Sequence, residues 1–136
     1  MNSCTATDSL LSRPKGLRVS KKSQSSFLAN NKIISFSSVG FENVTELGGG
    51  FLTNNKLPSF SAKGFENVQK IGADFLYGNE PLKYVDLTAF QKLNSVEGGF
   101  LGECPNIKGI FVSKNKEQFF KGVIPHSLHK FIIVKP

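Results

Sequence analysis

His126 and His129 have the widest choice of chemistry in this sequence, because imidazole can hold a metal ion or move a proton near neutral pH. They stand three residues apart, a spacing that occurs in metal sites. A structural zinc site usually has four ligands, however, and no further His or Cys lies near them in the chain. The sequence therefore predicts neither a metal site nor a bound cofactor.

Catalytic machinery also finds no support in the sequence. A nucleophile needs a base and a group that orients the base, whereas both histidines fall in the C-terminal part of the chain. The acidic residues Glu42 and Glu66 recur at one position of a repeat, shared with Gln91, which indicates an outward-facing column. The glycine run at residues 48–50 lacks the Lys-Ser/Thr of a phosphate-binding loop. The prediction is a protein without enzymatic activity.

A tandem repeat supplies the elements that would position any site. Phe-Leu pairs recur after 24, 24 and 25 residues, at Phe27-Leu28, Phe51-Leu52, Phe75-Leu76 and Phe100-Leu101. Such a period is typical of solenoids, in which each turn contacts only its neighbours. Two apolar columns recur within each unit, beginning at Ile33, Leu57, Leu82 and Ile107 and at Phe41, Phe65 and Phe90. The first column ends in strand-like alternation, which predicts one short strand in each copy.

A polar position also recurs inside the apolar scheme, three residues before the first apolar residue of each predicted strand. Its members are Asn30, Asn54, Asn79 and Cys104. A buried Asn must form hydrogen bonds, and a stacked neighbouring turn offers it backbone groups. We therefore expect these four residues to form a structural ladder, with Cys104 as a small and mostly apolar member.

The repeat resembles the leucine-rich repeats of the BspA-like type. That family repeats a unit similar to V-x-x-I-G-x-x-(A)F-x-x-C-x-x-L-x-x-I-x-L. Matching residues in this chain are Val68, Ile71, Gly72, Phe75, Asn79, Leu82, Val85 and Leu87, and then Val96, Phe100, Cys104, Ile107, Ile110 and Val112. The resemblance implies a β-rich solenoid with about four turns, a right-handed coil and a strand-lined face. It also implies a non-catalytic role in protein recognition, often toward a host.

Three parts of the chain follow from this pattern. Residues 1–26 are predicted to be a disordered or degenerate basic leader, residues 27–112 the solenoid, and residues 113–136 a C-terminal cap. The cap should contain a short amphipathic helix at residues 114–122 and a final strand at residues 131–134, because the last turn needs a cover for its apolar face.

Charge is concentrated at the two ends of the chain. The formal charge of +7 divides into +4 for residues 1–26, −1 for residues 27–112 and +4 for residues 113–136. Basic ends keep a repeat array soluble, or they attract nucleic acid or an anionic surface. The leader contains no apolar stretch of the kind found in signal peptides, and no segment is long and apolar enough to span a bilayer. With only two cysteines, the default expectation is a cytoplasmic protein, and export by a non-classical route is the alternative.

A binding face is expected on the outward side of the predicted strands. Tyr84, Asp86 and Phe111 would lie close together there, with Lys83 and Lys108 beside them. Aromatic residues often anchor binding interfaces, and the lysines would steer an acidic partner. The alternative is that Phe111 packs against the predicted helix and Tyr84 is only a solvated strand residue. The main functional prediction is protein–protein interaction. The alternatives are binding of nucleic acid or an anionic surface through the basic termini, and a structural fragment without a ligand.

Overall fold

The computed structural model describes residues 28–136, and the predicted leader at residues 1–26 lies outside them. Short strands alternate along the chain between two sheets, and helices occur only after the last repeat. The strands are β1 (Glu46–Leu47), β2 (Ser59–Ser61), β3 (Lys70–Ile71), β4 (Tyr84–Asp86), β5 (Ser95–Val96), β6 (Gly109–Ser113) and β7 (Ile132–Lys135). A 3-10 helix (Lys114–Lys116), the α-helix α1 (Glu117–Val123) and a second 3-10 helix (His126–Phe131) separate β6 from β7.

Both sheets are parallel, and their registers follow the repeat period. One sheet has the strand order β1-β3-β5 and the other has the order β2-β4-β6-β7. Glu46 pairs with Lys70 and Ser59 pairs with Tyr84, offsets of 24 and 25 residues. Each of these strands therefore pairs with its counterpart in the next copy of the repeat. The sequence predicted strands at the first apolar column, and the structure also has them at the second. The leucine-rich-repeat solenoid stays a prediction.

Phenylalanine rings form the centre of one continuous core. The rings of Phe51 and Phe75 stack with their centroids 5.9 Å apart, and those of Phe75 and Phe100 stack at 5.3 Å. The second column adds another stack, with Phe65 and Phe90 at 6.1 Å. All of these side chains are buried. A ring in one repeat thus has its main partners in the repeats before and after it, so burial depends on stacked neighbours.

The leucine that follows each of these phenylalanines has an unusual backbone. Leu28, Leu52, Leu76 and Leu101 have φ angles of 57°, 57°, 57° and 58°. The left-handed region costs a residue with a Cβ roughly 1–2 kcal/mol. The side chains of all four are buried, and this burial of apolar surface offsets the strain. The corner of each repeat is therefore formed by a leucine where glycine would be the usual choice.

The C-terminal elements pack against the last repeat. Phe120 of α1 is fully buried, and its ring lies 6.3 Å from that of Phe100. An ion pair of 2.8 Å between Lys121 and Glu117 joins adjacent turns of α1. Strand β7 then adds to the free edge of β6. Helical structure therefore covers residues 114–123 where residues 114–122 were predicted, and the strand begins and ends one residue later than predicted.

Candidate binding surface

The outward side of the four-stranded sheet brings the predicted binding residues together. The inward residues of β2, β4 and β6 are Phe60, Val85 and Ile110, which are buried. Residues on either side of them face outward because side chains alternate along a strand. The register places Tyr84 beside Gly109 and Asp86 beside Phe111. Strand β7 then places Ile133 beside Phe111.

Tyr84, Phe111 and Ile133 form an apolar cluster, here called the aromatic patch. Tyr84 is 49% exposed and Ile133 is 42% exposed. Gly109 lies between them, since a Cβ at this position would be 3.1 Å from Tyr84 Cδ1 and 3.5 Å from Ile133 Cδ1. The two side chains therefore meet above a residue without a side chain. Sequence reasoning missed Ile133, although its alternation with Ile132 within the predicted final strand was a signal.

Phe111 is half-buried within the aromatic patch. The Nζ atom of Lys135 lies 5.0 Å from the centroid of its ring, within the range of a cation–π interaction. Its register partners are Asp86 on one side and Ile133 on the other. Phe111 therefore extends the apolar surface between β4 and β7 and offers part of its ring to solvent.

Asp86 contributes less to the surface than the sequence suggested. Its Oδ1 atom accepts hydrogen bonds from the backbone N–H of Thr88 at 2.9 Å and from the Thr88 hydroxyl at 2.6 Å. These bonds hold the turn that follows β4, so the carboxylate is already engaged. Asp86 is accordingly a positioning residue for the end of the strand.

Lysines surround the aromatic patch. Lys83 and Lys108 precede β4 and β6 and are exposed, and the Lys108 N–H donates to the Lys83 carbonyl at 2.7 Å. Lys130 and Lys135 flank the other side, and both are exposed. With Asp86 engaged by Thr88, these cations leave the rim of the patch positive. Such a rim favours an acidic partner, mainly through faster encounter.

The buried polar column differs from the predicted ladder in two of its four members. Asn79 and Cys104 are buried, as expected, but Asn30 and Asn54 are exposed, and the Asn54 amide donates to Asn30 Oδ1 at 3.0 Å. In the second described repeat the buried residue is Asn55, whose side chain accepts from the N–H of Ile33 at 3.0 Å.

Counting forward from the Phe-Leu pairs explains the difference. The residue four positions after each phenylalanine is Asn31, Asn55, Asn79 or Cys104. The loop that leads from this position to the strand is one residue longer in the last two copies. Counting back from the strand therefore selected the exposed neighbour in the first two copies. The column is structural, because its amides bond to backbone groups of adjacent turns.

Cys104 is a buried thiol without an electropositive setting. Its Sγ atom lies 3.3 Å from the carbonyl oxygen of Leu76, to which the thiol donates. Burial raises the pKa of this thiol, and the nearby Glu103 carboxylate raises it further, against smaller opposing effects of the backbone at Asn79 and Gly78. A raised pKa leaves little thiolate at neutral pH, so the residue is not suited to nucleophilic chemistry.

A pH dependence of stability follows from the raised pKa of Cys104. The folded state favours the neutral thiol, so its contribution is fully present below the pKa of the unfolded chain, about 8.5. It is lost as pH rises from there through the higher pKa of the folded state. We expect urea unfolding to show wild type losing stability relative to Cys104→Ala between pH 8 and pH 10. A difference that is constant over this range would contradict the prediction.

The two histidines lie close together but interact with the backbone. Their ring centroids are 4.8 Å apart, and His129 Nε2 lies 3.0 Å from the carbonyl oxygen of Ile124. Within residues 28–136, no group of three or more His, Cys, Asp or Glu side chains is arranged to hold a metal ion. In the same residues, no helix is long and apolar enough to cross a membrane.

Comparison with known proteins adds no relative. No protein-family model matches the sequence, and no curated protein or solved structure matches it.

Proposed function

We propose that this chain is a non-enzymatic protein-interaction module, built as a short leucine-rich-repeat solenoid, that binds a partner through the aromatic patch. The observation that supports the proposal is the contact between Tyr84 and Ile133, two large apolar side chains that are 49% and 42% exposed. Exposed aromatic and aliphatic residues side by side are typical of interface anchors, which carry most of the binding energy.

The sheet beneath the patch suits a binding role. Val85 and Ile110 are fully buried below the outward residues, and β4 is paired on both of its edges. Such a support holds the outward side chains in place before binding, which reduces the entropy that binding costs. The outer residues can then act as a preorganised surface.

The charges around the patch indicate the chemistry of the partner. Lys83, Lys108, Lys130 and Lys135 are exposed around the patch, and Asp86 is engaged by Thr88. A partner with an apolar anchor and acidic flanking residues fits this arrangement. The anchor would supply most of the affinity, and the acidic residues would accelerate association at low salt.

The test uses the full chain as bait for quantitative affinity capture. We expect a protein that wild type retains to be reduced about tenfold or more with Tyr84→Ser, Ile133→Ser, because anchor residues contribute about 2 kcal/mol or more. The matched control is Ile34→Ser, Val39→Ser, which removes two apolar side chains of 61% and 63% exposure far from the patch in sequence. Circular dichroism and urea unfolding would establish that both variants fold.

Three outcomes separate the alternatives. Loss of the partner in the patch variant but not in the control supports the proposal. Equal recovery with all three baits contradicts it. Retention by every bait at low salt, with release at raised salt, would instead favour nucleic acid or an anionic surface bound through the basic termini, since such binding weakens steeply with salt.

A further inference from the structure

The four-stranded sheet has an interruption at the edge opposite the aromatic patch. Residues 35–37 precede β2 by one repeat of 24 residues, so they are the copy that should pair with it. The chains meet on either side of this stretch, where the Lys56 N–H donates to the Ile33 carbonyl at 2.9 Å and the Ser38 hydroxyl donates to the Lys63 carbonyl. Between these points the described residues contain no hydrogen bond from residues 34–37 to β2, and residues 35–37 are not a strand.

The separated segments enclose a groove, here called the serine groove, with a volume of about 720 Å³. Its lining includes the hydroxyls of Ser35, Ser37, Ser59 and Ser61. Phe36 and Phe60 also line it, and their rings stack with centroids 6.4 Å apart. Ile34 and Val39, also in the lining, are the two most exposed large apolar residues that the structure describes, at 61% and 63%. The groove thus combines apolar surface with hydroxyl groups.

The backbone of β2 presents hydrogen-bonding groups toward the serine groove. On the side of β4, the Pro58 carbonyl accepts from Lys83 and the Ala62 N–H donates to Asp86. In a parallel strand, alternate residues direct both backbone groups to the same side. Ser59 and Ser61 therefore direct their N–H and C=O groups away from β4, toward residues 34–37. An unpaired strand edge of this kind is a template for one more strand.

Acidic side chains stand at one end of the groove. Glu42 and Glu66 occupy equivalent positions of adjacent repeats and are exposed, and Lys63 is the basic residue in the lining. Each carboxylate accepts a hydrogen bond from the glycine two residues before it, at 3.1 Å for Gly40 and 3.1 Å for Gly64. Two carboxylates against one ammonium group give this end a negative charge, in contrast to the formal charge of +7 of the whole chain.

We propose that the serine groove binds an extended basic segment of a partner protein by strand addition to β2. Three or four residues at about 3.3 Å each are enough to pair along Ser59–Ser61. Main-chain hydrogen bonds to Ser59 and Ser61 provide the affinity, and small apolar side chains contact Phe36 and Phe60. A Lys or Arg of the segment lies against Glu42 and Glu66. This site is separate from the aromatic patch, so either can exist without the other.

The test measures fluorescence anisotropy of a labelled peptide, acetyl-Ser-Val-Ser-Val-Lys-Arg-amide, titrated with the full chain. We expect saturable binding that is about three- to tenfold weaker for Glu42→Gln, Glu66→Gln, since an exposed ion pair contributes up to about 1 kcal/mol. Glutamine keeps the oxygen that accepts from Gly40 and Gly64, so the turns stay intact. A peptide with Glu-Glu in place of Lys-Arg should bind still more weakly. The variant Tyr84→Ser, Ile133→Ser should bind the peptide as wild type does.

Backbone pairing has its own control. N-methylation of alternate peptide amides removes the donors on one edge of the bound strand, so at least one of the two alternate sets should abolish binding. Full affinity with both methylated sets would overturn strand addition. So would protection from amide exchange at Ser59 and Ser61 in the free protein equal to that within β4, because residues 34–37 would then close the groove.

The remaining occupants of the groove are this chain's own N-terminal segment and a second copy of the chain. Charge reversal at Arg18, Lys21 and Lys22 in the full chain should leave peptide affinity within about twofold. A large increase would show that the chain's own basic residues compete for the groove and would overturn a partner as the occupant. Sedimentation of the free protein as a dimer that the peptide dissociates would assign the groove to a second copy and equally overturn the proposal.

Discussion

Replacing Phe75 with alanine should lower the free energy of unfolding by about 3–5 kcal/mol, the largest effect expected of any single substitution in this chain. Phe75 is fully buried and stacks on Phe51 and Phe100, with edge contacts to Phe60 and Phe90. The truncation removes apolar surface from the core and leaves a cavity between three repeats. The neighbouring rings are held by their own repeats, so they cannot collapse into it.

The measurement is urea unfolding followed by far-UV circular dichroism, since the chain has no tryptophan. Phe119→Ala is the matched control, because Phe119 is only half-buried and contacts Phe120 edge-on at 5.3 Å in the C-terminal cap. Its cost should be less than half that of Phe75→Ala. Equal effects of the two substitutions would show that stacking between repeats does not dominate stability.

Asn79→Ala should cost about 3 kcal/mol or more, although it removes no ring and no charge. The Asn79 amide donates to the Leu52 and Leu76 carbonyls, each at 2.9 Å, and accepts from the Leu57 N–H at 3.3 Å. The substitution leaves three backbone groups without this partner in a buried place, and each unsatisfied group costs about 1–3 kcal/mol. These groups belong to two adjacent repeats, so the loss also weakens the contact between them.

Asn106→Ala is the control for this substitution. Asn106 also donates to a backbone carbonyl of the preceding repeat, that of Glu80 at 2.8 Å, but it is exposed. Water can replace the lost bond there, so the expected cost is about 1 kcal/mol or less. Urea midpoints that coincide for the two variants would mean that the buried amide column is dispensable for stability.

The period of the repeat was predictable from the sequence, and with it the identity of most core residues. Apolar residues recur at fixed offsets, and a strand can pair in register with the next copy only if those offsets are nearly constant. The registers at 24 and 25 residues follow from this constraint. The Phe-Leu pairs and both apolar columns were therefore recognisable without coordinates.

Adjacent asparagines show where periodicity was insufficient. At residues 30–31 and 54–55 two asparagines stand together, and either can be counted into the polar column. Only the three-dimensional path of the chain decides that Asn55 is buried and Asn54 is exposed. The left-handed leucines are a second example, because no propensity favours Leu52 or Leu76 at positive φ. Burial of their side chains in the stacked core makes that backbone affordable.

The two proposed sites divide in the same way. The alternation of side chains along each strand was enough to direct Tyr84, Asp86 and Phe111 to one face, since it depends only on local geometry. The contact of Ile133 with Tyr84 across Gly109, the engagement of Asp86 by Thr88, and the open groove beside β2 depend on which chains lie side by side. Local periodicity acts along the chain, whereas these contacts join residues far apart in it, so only the tertiary structure decided them.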